Sequence, residues 1–216
     1  MSRNRRNKIS SRKSVVLVVD GESEIWYIQQ LKKYESEQIH FTLKPNLPKG
    51  KSLVDMYNKV KELEQNEEFE KIFWIIDFDV IIRETKKAKK GTKTRLDEFK
   101  QYYKSIDKNK VTTIINNPCL EYWFLQHFAE TSKYFSKCAD VEKDLKKHIK
   151  DYKKEEKFYN TCNCRKGIYL LLKPNLNTAI ANSKKIKSFD FGKVDVKDYE
   201  IGLAEMYMLF KELGIK

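Results

Sequence analysis

The chain has 216 residues, with 44 Lys and Arg against 31 Asp and Glu, a net charge of +13 and a pI of about 9.4. That length suits one sizeable core with a small appended lobe and excludes a three-domain protein. No apolar run approaches the roughly 18 residues of a membrane span, and Met1 to Ser14 lacks the apolar centre of a signal peptide, so a cytoplasmic protein with no membrane contact is expected.

Residues 1–13 hold Arg3, Arg5, Arg6, Lys8, Arg12 and Lys13 and no acid, and are expected to form a flexible basic arm. Such an arm either touches a phosphate backbone or serves as a solubilising tail. Val15 to Val19 predicts a first strand, because a short Val-rich run reads as a strand buried on both faces, as in a parallel sheet. Asp20-Gly21-Glu22-Ser23-Glu24 follows as a turn, and Glu22 to Tyr34 as a helix with acid in its first turn. A short strand is expected near Ile39 to Lys44. Pro45, Pro48 and Gly50 mark a loop, and Ser52 opens a helix through about Gln65.

The next strand, Ile72 to Ile76, runs into Asp77-Phe78-Asp79. Arg83 to Arg95 then reads as a basic loop around Gly91, and Leu96 to Ser105 as a helix. Val111 to Ile115 predicts another strand. Asn117 as N-cap with Pro118 at the first helical position predicts a helix over Cys119 to Phe128. Beyond Glu130 the chain turns to Lys-rich amphipathic helix without clear buried strands: basic-acidic alternation over Ala139 to Glu156, an apolar run at Gly167 to Leu172, and helices at Leu176 to Ile186 and Tyr199 to Leu213. The expected organisation is a basic arm at 1–13, an α/β core at 14–130 and a mainly helical extension at 131–216 packed on it.

In a reducing compartment Cys119, Cys138, Cys162 and Cys164 are expected to be free thiols. Cys162-Asn163-Cys164 lacks the C-x-x-C spacing of a zinc knuckle, and no second such pair completes a tetrahedral site. No structural zinc is expected.

Strands of a parallel sheet deliver their carboxyl ends to one crevice. Carboxylates from Asp20, Asp77 and Asp79 would therefore converge, and converging carboxylates repel unless a cation lies among them. Asp77 and Asp79, at i and i+2, share one side of an extended backbone. A hard divalent cation, Mg2+ or Mn2+, suits such oxygen ligands. Asp20 can equally cap the following helix, with Glu22 and Glu24 complementing its dipole. The basic run beside the Asp pair places Lys87, Lys89, Lys90, Lys93 and Arg95 as candidate contacts to nucleic-acid phosphates, or as a solvated surface loop. His127 shares a helix face with Trp123 and reads either as a catalyst or as a core histidine.

Together Asp20-Gly21-Glu22-x-Glu24 with Trp26-Tyr27, then Trp74-Ile75-Ile76-Asp77-Phe78-Asp79, then Asn117-Pro118-Cys119-Leu120-Glu121-x-Trp123-Phe124-Leu125-x-His127-Phe128 resemble the RloB-like family. The resemblance spans roughly residues 12 to 186. It implies a divergent Toprim fold, a small parallel sheet between helices, in proteins of restriction and abortive-infection loci that often neighbour an ATPase of the ABC type. By that resemblance Asp20 stands where Toprim proteins usually have Glu, and Asp77 and Asp79 match the metal-binding Asp-x-Asp pair. Asn117, Glu121 and His127 match the family's third motif.

The expected function is a metal-dependent nuclease in anti-phage defence, acting on DNA or RNA with a partner ATPase. Asp20, Asp77 and Asp79 would hold the metal, and Glu24, Glu121 and His127 would complete the catalytic set. The rival is a catalytically silent subunit that binds nucleic acid or a partner; Asp in place of Glu at position 20 favours it. No P-loop or G-x-G-x-x-G supports a nucleotide-binding alternative.

Overall fold

The computed structural model describes residues 14–50 and 52–215, so the expected basic arm lies outside the described residues. Five strands form one sheet in the order β2-β1-β3-β4-β5: β1 Ser14–Val18, β2 Thr42–Asn46, β3 Phe69–Asp77, β4 Val111–Asn117 and β5 Leu203–Ala204. All neighbours pair in parallel except β4 with β5, which is antiparallel. Pro45 lies in β2, a position it can hold because an edge strand needs ladder hydrogen bonds on one side only.

Period-two alternation sorts the strand residues into two cores. Val15, Leu17, Phe73, Ile75 and Ile114 face one layer, while Val16, Val18, Ile72, Trp74, Ile76 and Ile115 face the other. The first face is covered by α1 Glu22–Tyr34, α5 Leu120–Gln126, α6 Cys138–Leu145, α8 Ile168–Leu172, α9 Leu176–Lys185 and α10 Tyr207–Leu213. The second is covered by α2 Leu53–Glu64, α3 Asp79–Lys87 and α4 Arg95–Ser105. Burial on both faces is why the strands read as continuous apolar runs. The remaining helix, α7 Glu156–Arg165, packs on α1 and α8 and is broken at Cys162 to Cys164, where Asn163 and Cys164 take positive φ.

The α/β class and the helix-flanked parallel sheet hold as expected. Helix α1 has the expected bounds, and Ser52 caps α2 through a reciprocal pair of hydrogen bonds with Asp55. Four local expectations are corrected. The basic stretch expected as a loop from Arg83 is helical as far as Lys87, because Ile81 and Ile82 bury against the sheet and Arg83 lies one turn from Asp79. The long alternation after Ala139 breaks: α6 ends at Leu145 and Asp151 takes a left-handed φ of 59°.

Asn117 is the end of β4 and not a helix cap; α5 begins at Leu120 with Cys119 as its cap, after a cis Asn117-Pro118 bond. The Asn117 amide instead donates to the carbonyls of Tyr199 (3.0 Å) and Ile201 (2.7 Å), 82 and 84 residues away. That tie explains the last correction. The expected helix from Tyr199 is a 3-10 turn at Val196–Tyr199, then β5, then α10. Gly202 allows it: a Cβ there would lie 2.0 Å from the Tyr122 hydroxyl and 2.5 Å from the Lys133 carbonyl.

Candidate functional site

The strand order 2-1-3-4-5 reverses direction between β1 and β3, and a doubly wound sheet opens its crevice at that point, outside the carboxyl ends of the strands. Asp20 lies two residues past β1 and Asp77 ends β3, so the chain topology alone sets these two carboxylates side by side. The Asp20 Oδ2 accepts a hydrogen bond from the Asp77 backbone N–H at 3.1 Å. A cleft of about 410 Å³ opens here, lined by Asp20, Glu24, Asp77, Asp79 and Lys154 with Trp26 on its wall. A smaller cavity of about 120 Å³ meets Asp20 and Asp77 from the other side of the sheet and is lined by Arg95 and Ser52.

Helix α1 carries Glu24 into the cleft. Glu24 is 1 % exposed; Ser23 Oγ donates to its Oε2 at 3.3 Å, and its Oε1 has no hydrogen-bond partner among the described residues. Asp77 Oδ1 is likewise buried without a partner among the described residues. Burial pushes the Glu24 carboxyl up from 4.5 to about 7, against the pull of Lys154 and with the repulsion of Glu121 and Asp20. Burial also pushes Asp77 well above the ordinary range, helped by Glu24 and Asp20. Asp79, the first residue of α3, is raised by burial despite a hydrogen bond from the Val80 backbone N–H and despite Arg83, 3.7 Å away.

Glu121 is fully buried in the first turn of α5, next to Lys154 of the cleft lining. Its Oε1 accepts from the Tyr152 hydroxyl at 2.8 Å, and Lys154 Nζ stands 3.2 Å from Oε1 and 3.3 Å from Oε2. Burial acts to lower the Lys154 ammonium, but Glu121, Asp77 and Glu24 outweigh it and raise its pKa above the ordinary range. Since 38 % of the Lys154 side chain meets solvent, water screens part of that attraction.

Lys154 was not legible in the sequence, where it is one more lysine in a basic-acidic alternation. A second unanticipated residue is Asn116, paired in register with Asp77 and fully buried, with neither amide atom hydrogen-bonded among the described residues. Its signal was its place at the polar end of an apolar strand.

His127 is elsewhere. It caps the end of α5 at 2 % exposure, its Nδ1 lies 3.0 Å from the Trp123 carbonyl, and its ring meets the Trp123 ring edge-on. Burial lowers its pKa to about 4, and no carboxylate contributes to the shift. A carbonyl only accepts, so Nδ1 carries the proton of a neutral ring. This is the core arrangement, and it does not bring His127 to the acidic cleft.

Of the basic candidates, Arg95 reaches the small cavity, paired with Glu98 on its own helix. Lys93 is exposed and donates to Gln101 at 2.7 Å, and Lys87, Lys89 and Lys90 are exposed around the turn between α3 and α4.

The carboxylates fit a hard divalent cation in donor chemistry, since all offer oxygen and two buried oxygens have no partner among the described residues. Their ligand atoms are not drawn into one tight cluster. Among the described residues the trio whose ligand atoms lie within 4.8 Å of one another is Cys119, Glu121 and Cys138. Like charges repel, and Lys154 draws Glu121 toward itself.

These cysteines correct the expectation of free thiols. Cys119 and Cys138 form a disulfide, because α5 and α6 start with their Cα atoms 5.8 Å apart, within bridging distance. Cys162 and Cys164 are free.

A raised folded-state pKa means the folded protein holds the proton more tightly than the unfolded chain. Glu24 therefore contributes stability that is fully present below pH 4.5 and lost as pH rises through about 7. In chelator, Glu24→Gln should gain on wild type in melting temperature across that window. A difference that stays flat from pH 5 to pH 8 would show that Glu24 does not titrate there.

Comparison with known proteins gives one family, described as RloB-like protein, whose sequence model matches residues 15–213. No curated protein and no solved structure matches the chain. No helix among the described residues is long and apolar enough to cross a membrane.

Proposed function

The chain belongs to the RloB-like family, and from the acidic cleft at its strand ends we propose that it is a metal-dependent phosphodiesterase of Toprim type, cleaving DNA or RNA in anti-phage defence together with a partner ATPase. The observation that carries this reading is the group of buried Glu24 and half-buried Asp77 and Asp20 at the switch point of the sheet, in which the buried Glu24 Oε1 and Asp77 Oδ1 have no hydrogen-bond partner among the described residues. Uncompensated buried carboxylates are costly, and a divalent cation is the partner that offsets repulsion and desolvation together. Asp20, Asp77 and Asp79 would hold Mg2+ or Mn2+, with Glu24 beside them. When bound, the ion would supply an activated water and charge stabilisation at the scissile phosphate.

The protein's own groups do the rest. The Asp77 N–H orients the Asp20 carboxylate. Lys154 stands at the mouth of the cleft, where its ammonium moderates the carboxylates and faces the approach of a phosphate. Arg95 and Lys93, with Lys87, Lys89 and Lys90 on the same turn, give the backbone a positive track.

The test is incubation of the purified chain with plasmid DNA and with total tRNA, in Mg2+ or Mn2+ and in chelator. Metal-dependent cleavage of either substrate is expected, and the substrate that is cut names the class. A second reading, a silent binding subunit, is favoured by the engagement of Asp20 with the Asp77 backbone. It predicts no cleavage with or without the ATPase, and no rise in melting temperature with either metal.

Lys154→Met removes the main charge that lowers the Glu24 pKa. The pH at which Mg2+ begins to raise the melting temperature should move upward, and cleavage should fall by about 10²-fold if the ammonium also meets the phosphate. An unchanged pH profile would remove Lys154 from the site.

A further inference from the structure

We propose that Cys119, Cys138 and Glu121 form a second metal site, for a thiophilic cation of the zinc class, which the Cys119–Cys138 disulfide closes and reduction opens. The inference does not rest on the reading of the acidic cleft.

Cys119 caps α5 and Cys138 is the first residue of α6, so two helix starts hold the sulfurs in place. Glu121, in the first turn of α5, aims Oε2 at them: Cys138 Sγ lies 3.0 Å from that oxygen. A disulfide sulfur carries no proton, so this close approach is no hydrogen bond in the oxidised state. The other oxygen is engaged by Tyr152, which leaves Oε2 directed at the sulfurs with Lys154 as its remaining neighbour. The Sγ of Cys119, the Sγ of Cys138 and a Glu121 oxygen lie within 4.8 Å of one another. A fourth donor is at hand, because Glu142 Oε1 lies 4.0 Å from Cys138 Sγ. Two thiolates with two carboxylate oxygens suit zinc, whereas the all-oxygen cleft suits magnesium or manganese.

The chemistry balances through a dithiol reductant. Reduction breaks the S–S bond with two electrons and two protons from the dithiol, which closes its own disulfide. Zinc then binds both sulfurs as thiolates, their two protons pass to solvent, and the sulfurs stand roughly 3.8 Å apart in tetrahedral geometry. The cysteine spacing hid this site, since the ligands are 19 residues apart in the chain with no C-x-x-C pair.

The test uses cobalt as a probe, because thiolate ligation gives a charge-transfer band that oxygen ligands do not. The full chain, reduced and then freed of reductant without air, should take up one equivalent of Co2+ with that band, and equimolar zinc should bleach it. The oxidised chain should show none. Cys119→Ser and Cys138→Ser should each abolish the band, Cys162→Ser with Cys164→Ser should keep it, and Glu121→Gln should weaken affinity by about 10-fold or more. Absence of the band from the reduced wild type would overturn the site. So would its loss in the Cys162/Cys164 variant with retention in Cys138→Ser. Cobalt bound to the acidic cleft adds no thiolate band, so failure here leaves the reading of the cleft standing.

Discussion

Asp77→Asn should lower metal-dependent cleavage by about 10²- to 10³-fold, the scale of removing one preorganised electrostatic group, while making the metal-free protein more stable. The substitution is isosteric and keeps the backbone N–H that binds Asp20. What it removes is a carboxyl whose ionisation is opposed first by burial and then by repulsion from Glu24, Asp20 and Glu121, the causes that drive the Asp77 pKa upward. Without that charge the folded state carries less repulsion, so the melting temperature in chelator should rise at neutral pH, as expected where a site is kept at some cost to stability. The increment that Mg2+ or Mn2+ adds to the wild-type melting temperature should disappear, since a ligand stabilises only the state that binds it. The two signs together are the diagnostic. Cleavage and metal-induced stabilisation both surviving in Asp77→Asn would refute the assignment.

Trp123→Ala should destabilise the fold by about 3–5 kcal/mol, the range for deleting a buried large side chain. Trp123 is fully buried on α5, donates from Nε1 to the Tyr27 hydroxyl at 3.1 Å, and packs its ring against His127 and Phe210. Truncation leaves the buried Tyr27 hydroxyl without its donor and strips the contact that holds α5 against α1 and α10. With a total stability of roughly 5–15 kcal/mol and about 2–4 °C per kcal/mol for a chain of this size, the melting temperature should drop by about 6–20 °C. The same helix carries Glu121, so cleavage should decline with folding and not ahead of it. A drop of less than about 2 °C by calorimetry would show that Trp123 does not anchor α5 against α1 and α10.

The acidic cleft was partly legible because its parts are local. Val15 to Val19 and Ile72 to Ile76 announce buried parallel strands, and in such a sheet Asp20 and Asp77 can only emerge at the same end. Glu24 and Glu121 were legible as acids in the first turns of helices that follow strands. His127 was ambiguous for a physical reason: one imidazole among aromatic residues has the same sequence pattern whether it faces a cleft or a core, and only packing decides.

By itself the sequence determined the α/β layering, since alternating burial of Val, Ile and Leu on both strand faces requires helices on both sides. It also determined the bounds of α1, the capped start of α2 and the Asp-x-Asp turn after β3, all governed by residues within a few positions of one another. Tertiary structure alone decided what lies across long separations. Lys154 meets Glu121 over 33 residues, Asn117 ties down the β5 segment over 84, and Cys119 bonds Cys138 because two helix starts happen to abut. Local propensity acts through neighbouring dihedrals and caps and leaves its pattern in adjacent residues, whereas a charge pair or a sulfur bridge depends on the path the chain takes between its partners, and no short window of sequence records that path.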